Sequence, residues 1–444
     1  MKSISTLPIF SDAQIEQAIA ELHIADIRQA TIGEVLLVAT YLEDTFGIPM
    51  IRMDQGSPGL PANQIGLEAE RAALARGVGS QYPPAGGIPE IKTAASAFVQ
   101  AFLDISISPR SCVPTTGSVC SSFGSFIACT QRNKFQDTIL FLDPGFPIQK
   151  AQLNVLGIPY EAFDIQPYRG AQLGAKIEEY LHKGNIAGII YSNPNNPTWG
   201  CLEASELEQI GLLATKYDVI ILEDQAYFCM DTRKYLGTPH QPPFAPTIAN
   251  YTDNYMIMIS ASKMFSYAGQ RCALLCISDT LYERQYPALA LRYHDSGIFG
   301  DSLVASILYM ITSGTTSSTQ YGVAEMLRQS VLGTIDFVHD TYTYAQRAAR
   351  MKAIFERHGF HIVYDQDVSA PVGDGFFFTL GFGTMTSGEL VSALLHYGVS
   401  SIALSTTGGT LQGVRACTSR MSDDLYDVLD VRMAAFAEAY KDNL

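Results

Sequence analysis

Between residues 111 and 277 the chain repeats one pattern: a short apolar run, a turn, a stretch that in most cases is long enough for a helix, then another apolar run. The runs lie at Ser111–Thr116, Thr138–Leu142, Tyr160–Phe163, Ala187–Tyr191, Val219–Leu222, Tyr255–Ile259 and Cys272–Ile277. Several are continuously apolar rather than alternating, so both faces of their sheet must be covered. Strands joined through helices run parallel, because only a crossover returns the chain to the same edge. The pattern predicts an α/β fold: a mostly parallel seven-stranded sheet covered by helices.

After Ser313 the texture changes. A small polar stretch, GTTSSTQYG, precedes a long helical pattern from Val323 to His358. Short strands are expected at His361–Tyr364, Phe376–Leu380, Ser401–Leu404 and Val414–Thr418, with helices near 387–397 and 423–441. That is a smaller α+β domain. Near the other end, residues 11–45 carry helical periodicity with Ser11 as a start signal and Ile15, Ile19, Leu22, Ile27, Val35 and Leu36 as core candidates. DQGSPGLPANQ (54–64) reads as loop. The expected division is an N-terminal helical segment (1–48) packing with the small domain, a large domain (49–318), and a linking helix with the small domain (319–444).

Lys and Arg total 29 against 44 Asp and Glu, a net charge of −15. That balance repels phosphate backbones and anionic lipid, so neither nucleic acid nor membrane is an expected partner. No stretch approaches the ~20 apolar residues of a membrane span. The start, MKSISTLPIF, has no continuous apolar segment and predicts no secretory signal. Charged residues make up 16% of the chain, and apolar residues 47%. The first figure is well below the ~25% of an average soluble chain, which points to surface covered by a partner subunit. The 8 cysteines show neither CxxC nor a Cys/His cluster. They read as reduced thiols in a cytoplasmic protein, with no metal site.

In an open parallel sheet, ligands bind beyond the carboxyl ends of the strands, so the residues just past each run matter most. The first run leads to Thr115-Thr116-Gly117-Ser118-Val119 at a helix start, whose free N–H groups suit a phosphate. A P-loop is excluded for want of its Lys, and no GxGxxG is present. Further on, GIIY leads into Ser192-Asn193-Pro194-Asn195-Asn196-Pro197-Thr198, a rigid turn in which a cis Asn–Pro bond would aim a side chain. VIILEDQAY carries Asp224 and Tyr227, and YMIMISASKMF carries Lys263 between Ser262 and Met264, with Arg271 eight residues on. A buried acid needs a cationic partner, and desolvation makes a buried Lys nucleophilic. Together these strand ends describe a pyridoxal 5′-phosphate site: an imine-forming Lys, an acid for the ring nitrogen, a phosphate cradle, and Phe146 of LDPGFP to stack on the ring.

The sequence resembles the class I/II aminotransferases of pyridoxal-phosphate fold type I over nearly its whole length. SNPNNPT is similar to the family's NPxNPTG, EDQAY to D-x-A-Y, and SASKMFSYAGQR to S-x-S-K-x-x-x-x-x-G-x-R. The resemblance implies Lys263 as the Schiff-base lysine, Asp224 on the pyridine nitrogen, and Asn196 and Tyr227 on the ring hydroxyl. Gly117, Ser118, Val119, Ser260 and Arg271 would hold the phosphate, and Tyr82 would reach the phosphate of the neighbouring subunit in a homodimer. Gly56 falls in a substrate-contacting loop, and Arg415 resembles the arginine that binds the substrate α-carboxylate, with Arg420 as the alternative. Arg292 stands about where aspartate-type enzymes place a second cation. Two residues depart from the pattern: Trp199 stands where Gly follows Asn-Pro-Thr, and Ala273 where Gly follows the Arg motif. The implied activity is amino transfer between an α-amino acid and a 2-oxo acid, in amino-acid biosynthesis. A β-lyase, a decarboxylase, a racemase or a non-catalytic ligand-binding relative are the alternatives on the same fold.

Overall fold

The structure is a computed structural model and describes residues 8–444; the first seven residues of MKSISTLPIF lie outside the described residues. The chain forms two compact units. One comprises the chain up to Gly59, Asn195–Gly200 and Tyr342–Leu444; the other comprises Leu60–Pro194 and Cys201–Thr341.

The first unit opens with helices Asp12–Glu21 and Ile32–Phe46. Thr31 and Glu34 cap the second reciprocally: Glu34 N–H donates to Thr31 Oγ1 (3.3 Å) and Thr31 N–H to Glu34 Oε2 (2.8 Å). Its buried face is Val35, Val38, Ala39 and Leu42, a stripe at helical spacing. Leu36, expected in the core, falls off that stripe and is 38% exposed. Ile15 and Ile27 are buried, whereas Ile19 and Leu22 are half-buried. Leu395 and Ile402 share this core. Strand β1 (Ile51–Arg52) pairs in parallel with Val399–Ser400.

The second unit is built on seven strands: β2 (Cys112–Thr115), β3 (Thr138–Asp143), β4 (Tyr160–Asp164), β5 (Ile186–Ser192), β6 (Ile220–Gln225), β7 (Tyr255–Ser260) and β8 (Ala273–Ile277). Their order is β2-β8-β7-β6-β5-β3-β4, and only β8 runs against its neighbours. β3, β5, β6, β7 and β8 are buried along their whole length, as unbroken apolar runs require. Apolar cores lie on both faces of the sheet. β6 extends to Gln225, so Asp224 lies within the strand rather than beyond it.

The helical pattern expected from Val323 to His358 is three helices, Ser317–Val331, Phe337–Thr341 and Thr343–Arg357. Gly333, at φ +74°, turns the chain out of the first. The remaining strands of the first unit are β9 (Phe360–Ile362), β10 (Phe377–Phe382), β11 (Val399–Ser400), β12 (Ile402–Ala403) and β13 (Val414–Cys417). Four of them form an antiparallel sheet in the order β12-β13-β10-β9. Helices Ser387–His396 and Tyr426–Ala439 complete the unit.

Candidate active site

In the second unit the carboxyl ends of β5, β6 and β7 are adjacent in the sheet. β7 ends at Ser260, which is buried and accepts a hydrogen bond from Ser262 N–H at Oγ (3.2 Å). That cap starts the single turn Ala261–Met264, which carries the half-buried Lys263. On the neighbouring strand Asp224 is buried. Its Oδ1 accepts from Ala226 N–H (3.1 Å) and its Oδ2 from Gln149 Nε2 (3.0 Å). Burial pushes its carboxyl up to about 6 despite both donors. Tyr227, three residues on, is buried as well.

Gln149 was not singled out from the sequence. It lies in the first turn of helix Pro147–Leu156, whose N-cap is the half-buried Phe146. One helix start therefore carries both Phe146 and the amide donor to Asp224. The only signal in the sequence was its spacing of three from Phe146, one helical turn.

On the other side of β7, Ala273 opens β8 and stands in register with Ser260 on one flank and Thr115 on the other. The ends of β2 and β7 are thus held one strand apart. After β2, Gly117 adopts φ +77° and ψ +160°, a conformation essentially confined to glycine, and leads into helix Ser118–Gln131. Its missing Cβ matters twice, because a Cβ there would collide with the Arg271 guanidinium. Arg271 reaches this point from a backbone at φ +52° and donates from Nη1 to Ala268 O (2.8 Å). The first N–H groups of the helix, at Ser118 and Val119, are ones an α-helix leaves without an internal partner. Val119 O is held by Gln152 Nε2 (2.6 Å). A guanidinium beside free helix N–H groups makes an anion cradle.

Tyr82 is 86% exposed, and Arg292 is exposed on helix Pro287–Tyr293. Neither packs into the groups just described. Among the described residues no cluster of three His, Cys, Asp or Glu is arranged to hold a metal, and all eight cysteines are buried.

The first unit holds Asn196, Arg415 and Gly56. Both Asn193–Pro194 and Asn196–Pro197 are cis. Segment 195–200 closes on itself: Trp199 N–H donates to Asn195 O (2.9 Å), Asn195 N–H to Gly200 O (2.9 Å), and Thr198 Oγ1 to Asn195 Oδ1 (3.0 Å). Arg415 lies on β13 with its side chain buried. Its Nη1 donates to Asn196 Oδ1 (3.2 Å) and its Nη2 to Asp54 O (2.6 Å). The guanidinium carbon sits 4.7 Å from the ring centroid of Phe377, a second residue not foreseen. Gly56 is beside the same ring. Arg420, by contrast, is exposed and donates to Gln55 Oε1 (3.1 Å). Trp199 is buried at φ +66°, where a side chain other than glycine costs roughly 1–2 kcal/mol.

The residues of the second unit fit pyridoxal 5′-phosphate. The missing Cβ of Gly117 leaves room for the Arg271 guanidinium beside the start of helix Ser118–Gln131, the pairing of groups that a phosphate needs. Asp224, its charge disfavoured by burial, gains from a protonated ring nitrogen. Lys263 stands on the adjacent strand end.

Comparison with known proteins agrees. The family model described as "Aminotransferase class I and II" matches residues 49–429. A valine–pyruvate aminotransferase of Mycobacterium tuberculosis is 27% identical over 255 residues, 56% of this chain and 61% of that protein. An aspartate aminotransferase of Pyrococcus horikoshii is 26% identical over 252 residues, 55% of this chain and 59% of that protein. The matched stretches thus span about three fifths of these relatives. The crystal structure of an aspartate aminotransferase from Thermotoga maritima superposes with a TM-score of 0.74 at 18% identity, covering 96% of this chain and 99% of that one. Fold, strand-end residues and the match from 49 to 429 agree, and the chain belongs to the class I and II aminotransferase family.

Proposed function

We propose that the protein is a pyridoxal 5′-phosphate-dependent aminotransferase that moves an amino group from an α-amino acid to a 2-oxo acid. The observation that carries this reading is the pair of adjacent strand ends bearing Lys263 and buried Asp224. The bound cofactor supplies an aldehyde carbon that takes up the amino group and a protonated ring that draws electrons from the substrate. Lys263 Nζ would hold the cofactor through that carbon and, as a free amine, would be the base for the proton on the substrate α-carbon. Asp224 keeps the ring nitrogen protonated through an ion pair screened from water. Asn196 and Tyr227 would donate to the ring hydroxyl, and Phe146 would pack on the ring face. Gly117, Ser118 and Val119 N–H groups, Ser260 and Arg271 hold the phosphate, joined by the partner subunit's Tyr82.

Arg415 takes the substrate α-carboxylate in a bidentate pair, beside the Gly56 loop. Its burial and its bond to Asn196 support this role over Arg420, which is exposed. Arg292 meets an acidic side chain where the substrate carries one. The working enzyme is a cytoplasmic homodimer in amino-acid biosynthesis. Among the described residues no helix is long and apolar enough to cross a membrane.

The test is amino transfer to 2-oxoglutarate across a panel of amino acids, with the purified protein yellow and showing an imine absorbance that Lys263→Ala abolishes. Borohydride reduction should fix the cofactor on Lys263 alone, as read by peptide mapping. Label on another lysine refutes the assignment. Release of thiol and ammonia without an oxo-acid acceptor would make the protein a β-lyase instead.

A further inference from the structure

Trp199 is the only tryptophan of the chain, and it is buried in a backbone conformation that favours glycine. Its indole lies where Gly375 has no side chain: a Cβ there would fall among the indole atoms. It meets Phe377 at a centroid separation of 6.4 Å and an interplanar angle of 67°. Phe377 in turn lies against the Arg415 guanidinium, 4.7 Å from its carbon. Asn196, three residues before Trp199 on the same closed loop, accepts from Arg415 Nη1 (3.2 Å). The loop therefore reaches one guanidinium twice: directly through Asn196, and through Trp199 by way of Phe377.

We propose that Trp199 is a positioning residue: it wedges Phe377 so that the plane of the Arg415 guanidinium is fixed, and thereby sets affinity for the substrate carboxylate. The proposal rests on Arg415 as the carboxylate ligand. A bidentate pair needs both N–H vectors in the plane of the carboxylate, and a guanidinium free to tilt keeps only one. With glycine at 199 the backbone would relax, but Phe377 would lose the surface that stops it rotating.

The holoenzyme tests this in three ways. Trp199→Gly should raise KM for the amino acid about tenfold, the worth of roughly one hydrogen bond, while kcat holds. Trp199→Phe should recover most of that loss. Phe377→Leu, which leaves the tryptophan in place, should show the same split and serves where Trp199→Gly does not fold. The double variant Trp199→Gly/Phe377→Leu should lose no more than the worse single variant, because one residue acts through the other. Independently of turnover, isovalerate, a carboxylate without an amino group, should change the single-tryptophan emission saturably. Isovaleramide should not, and Phe377→Leu should abolish the response. Additive losses in the double variant, or flat emission at isovalerate concentrations that saturate inhibition, overturn the proposal. So does an unchanged KM in Trp199→Gly while Arg415→Lys raises it. An unchanged KM in Arg415→Lys itself overturns both this proposal and the carboxylate role.

Discussion

Asp224 receives hydrogen bonds from Ala226 N–H and Gln149 Nε2, yet burial still raises its carboxyl from 3.8 to about 6. In the cofactor-free protein the folded state therefore keeps a proton that the unfolded chain has already released. Its contribution to stability therefore falls as pH rises from about 4 to about 6, and levels off above. Asp224→Asn removes that dependence. The melting temperature of the cofactor-free variant, relative to wild type, should climb across this window, and a constant difference would contradict the burial argument. Gln149 acts on the same group in the other direction, since its donation lowers the carboxyl's pKa. Gln149→Leu should raise it further and move the upper end of that stability window, in the cofactor-free protein, up by about one pH unit, because a hydrogen bond to a charged group is worth ~1.5–3 kcal/mol. An unmoved window would leave Gln149 a packing residue. Asp224 could be read from the sequence because an acid ending an apolar run is costly without a partner. Gln149 could not, because a polar residue in the first turn of a helix looks like any solvated position until the fold places Asp224 beside it.

At the scale of elements, the turn between β2 and helix Ser118–Gln131 depends on one residue lacking a side chain. Gly117→Ala would force a Cβ both into a glycine-only conformation and against Arg271. The strain alone is of order 1–3 kcal/mol. The expected result is a protein that folds but releases pyridoxal 5′-phosphate more readily, measured as a raised Kd on dialysis and refilling. Unchanged affinity would move the phosphate elsewhere. The seven strands were legible because burial on both faces leaves continuous apolar runs, and a helix between two such runs leaves little choice but a parallel crossover. The break at Gly333 was not, because buried positions at helical spacing resume beyond it at Phe337, Val338 and Thr341, so periodicity alone reads as one helix. Leu36 shows the same limit at closer range: an apolar residue beside Val35 counts toward periodicity, although the stripe that packs runs through Val38, Ala39 and Leu42. Trp199 stands in no periodic pattern and Phe377 reads only as one position of an expected strand, so the contacts of Phe377 with Trp199 and Arg415 are visible only in three dimensions.

For the molecule as a whole, the proposed homodimer would cover apolar side chains that a single chain leaves in water: Leu291 is 78%, Met310 72% and Leu332 63% exposed, and Tyr82 86%. Closed twofold pairs are the commonest form of such an assembly. If Tyr82 serves the partner's phosphate, each site takes Lys263 from one chain and Tyr82 from the other, and two damaged chains can complement. A Lys263→Ala chain has no covalent anchor, and a Tyr82→Phe chain holds cofactor weakly, so at limiting pyridoxal 5′-phosphate both homodimers should be nearly inactive. Unfolding and refolding the two together gives hybrids in which one site carries both lesions and the other carries neither. With random pairing, roughly a quarter of all sites should recover wild-type turnover and cofactor affinity. Recovery in hybrids, with sedimentation at the mass of a pair, would establish both the dimer and the crossing of Tyr82. A dimer without recovery would keep the interface but confine each site to its own chain, and an active monomer would remove the reason for those exposed apolar residues altogether.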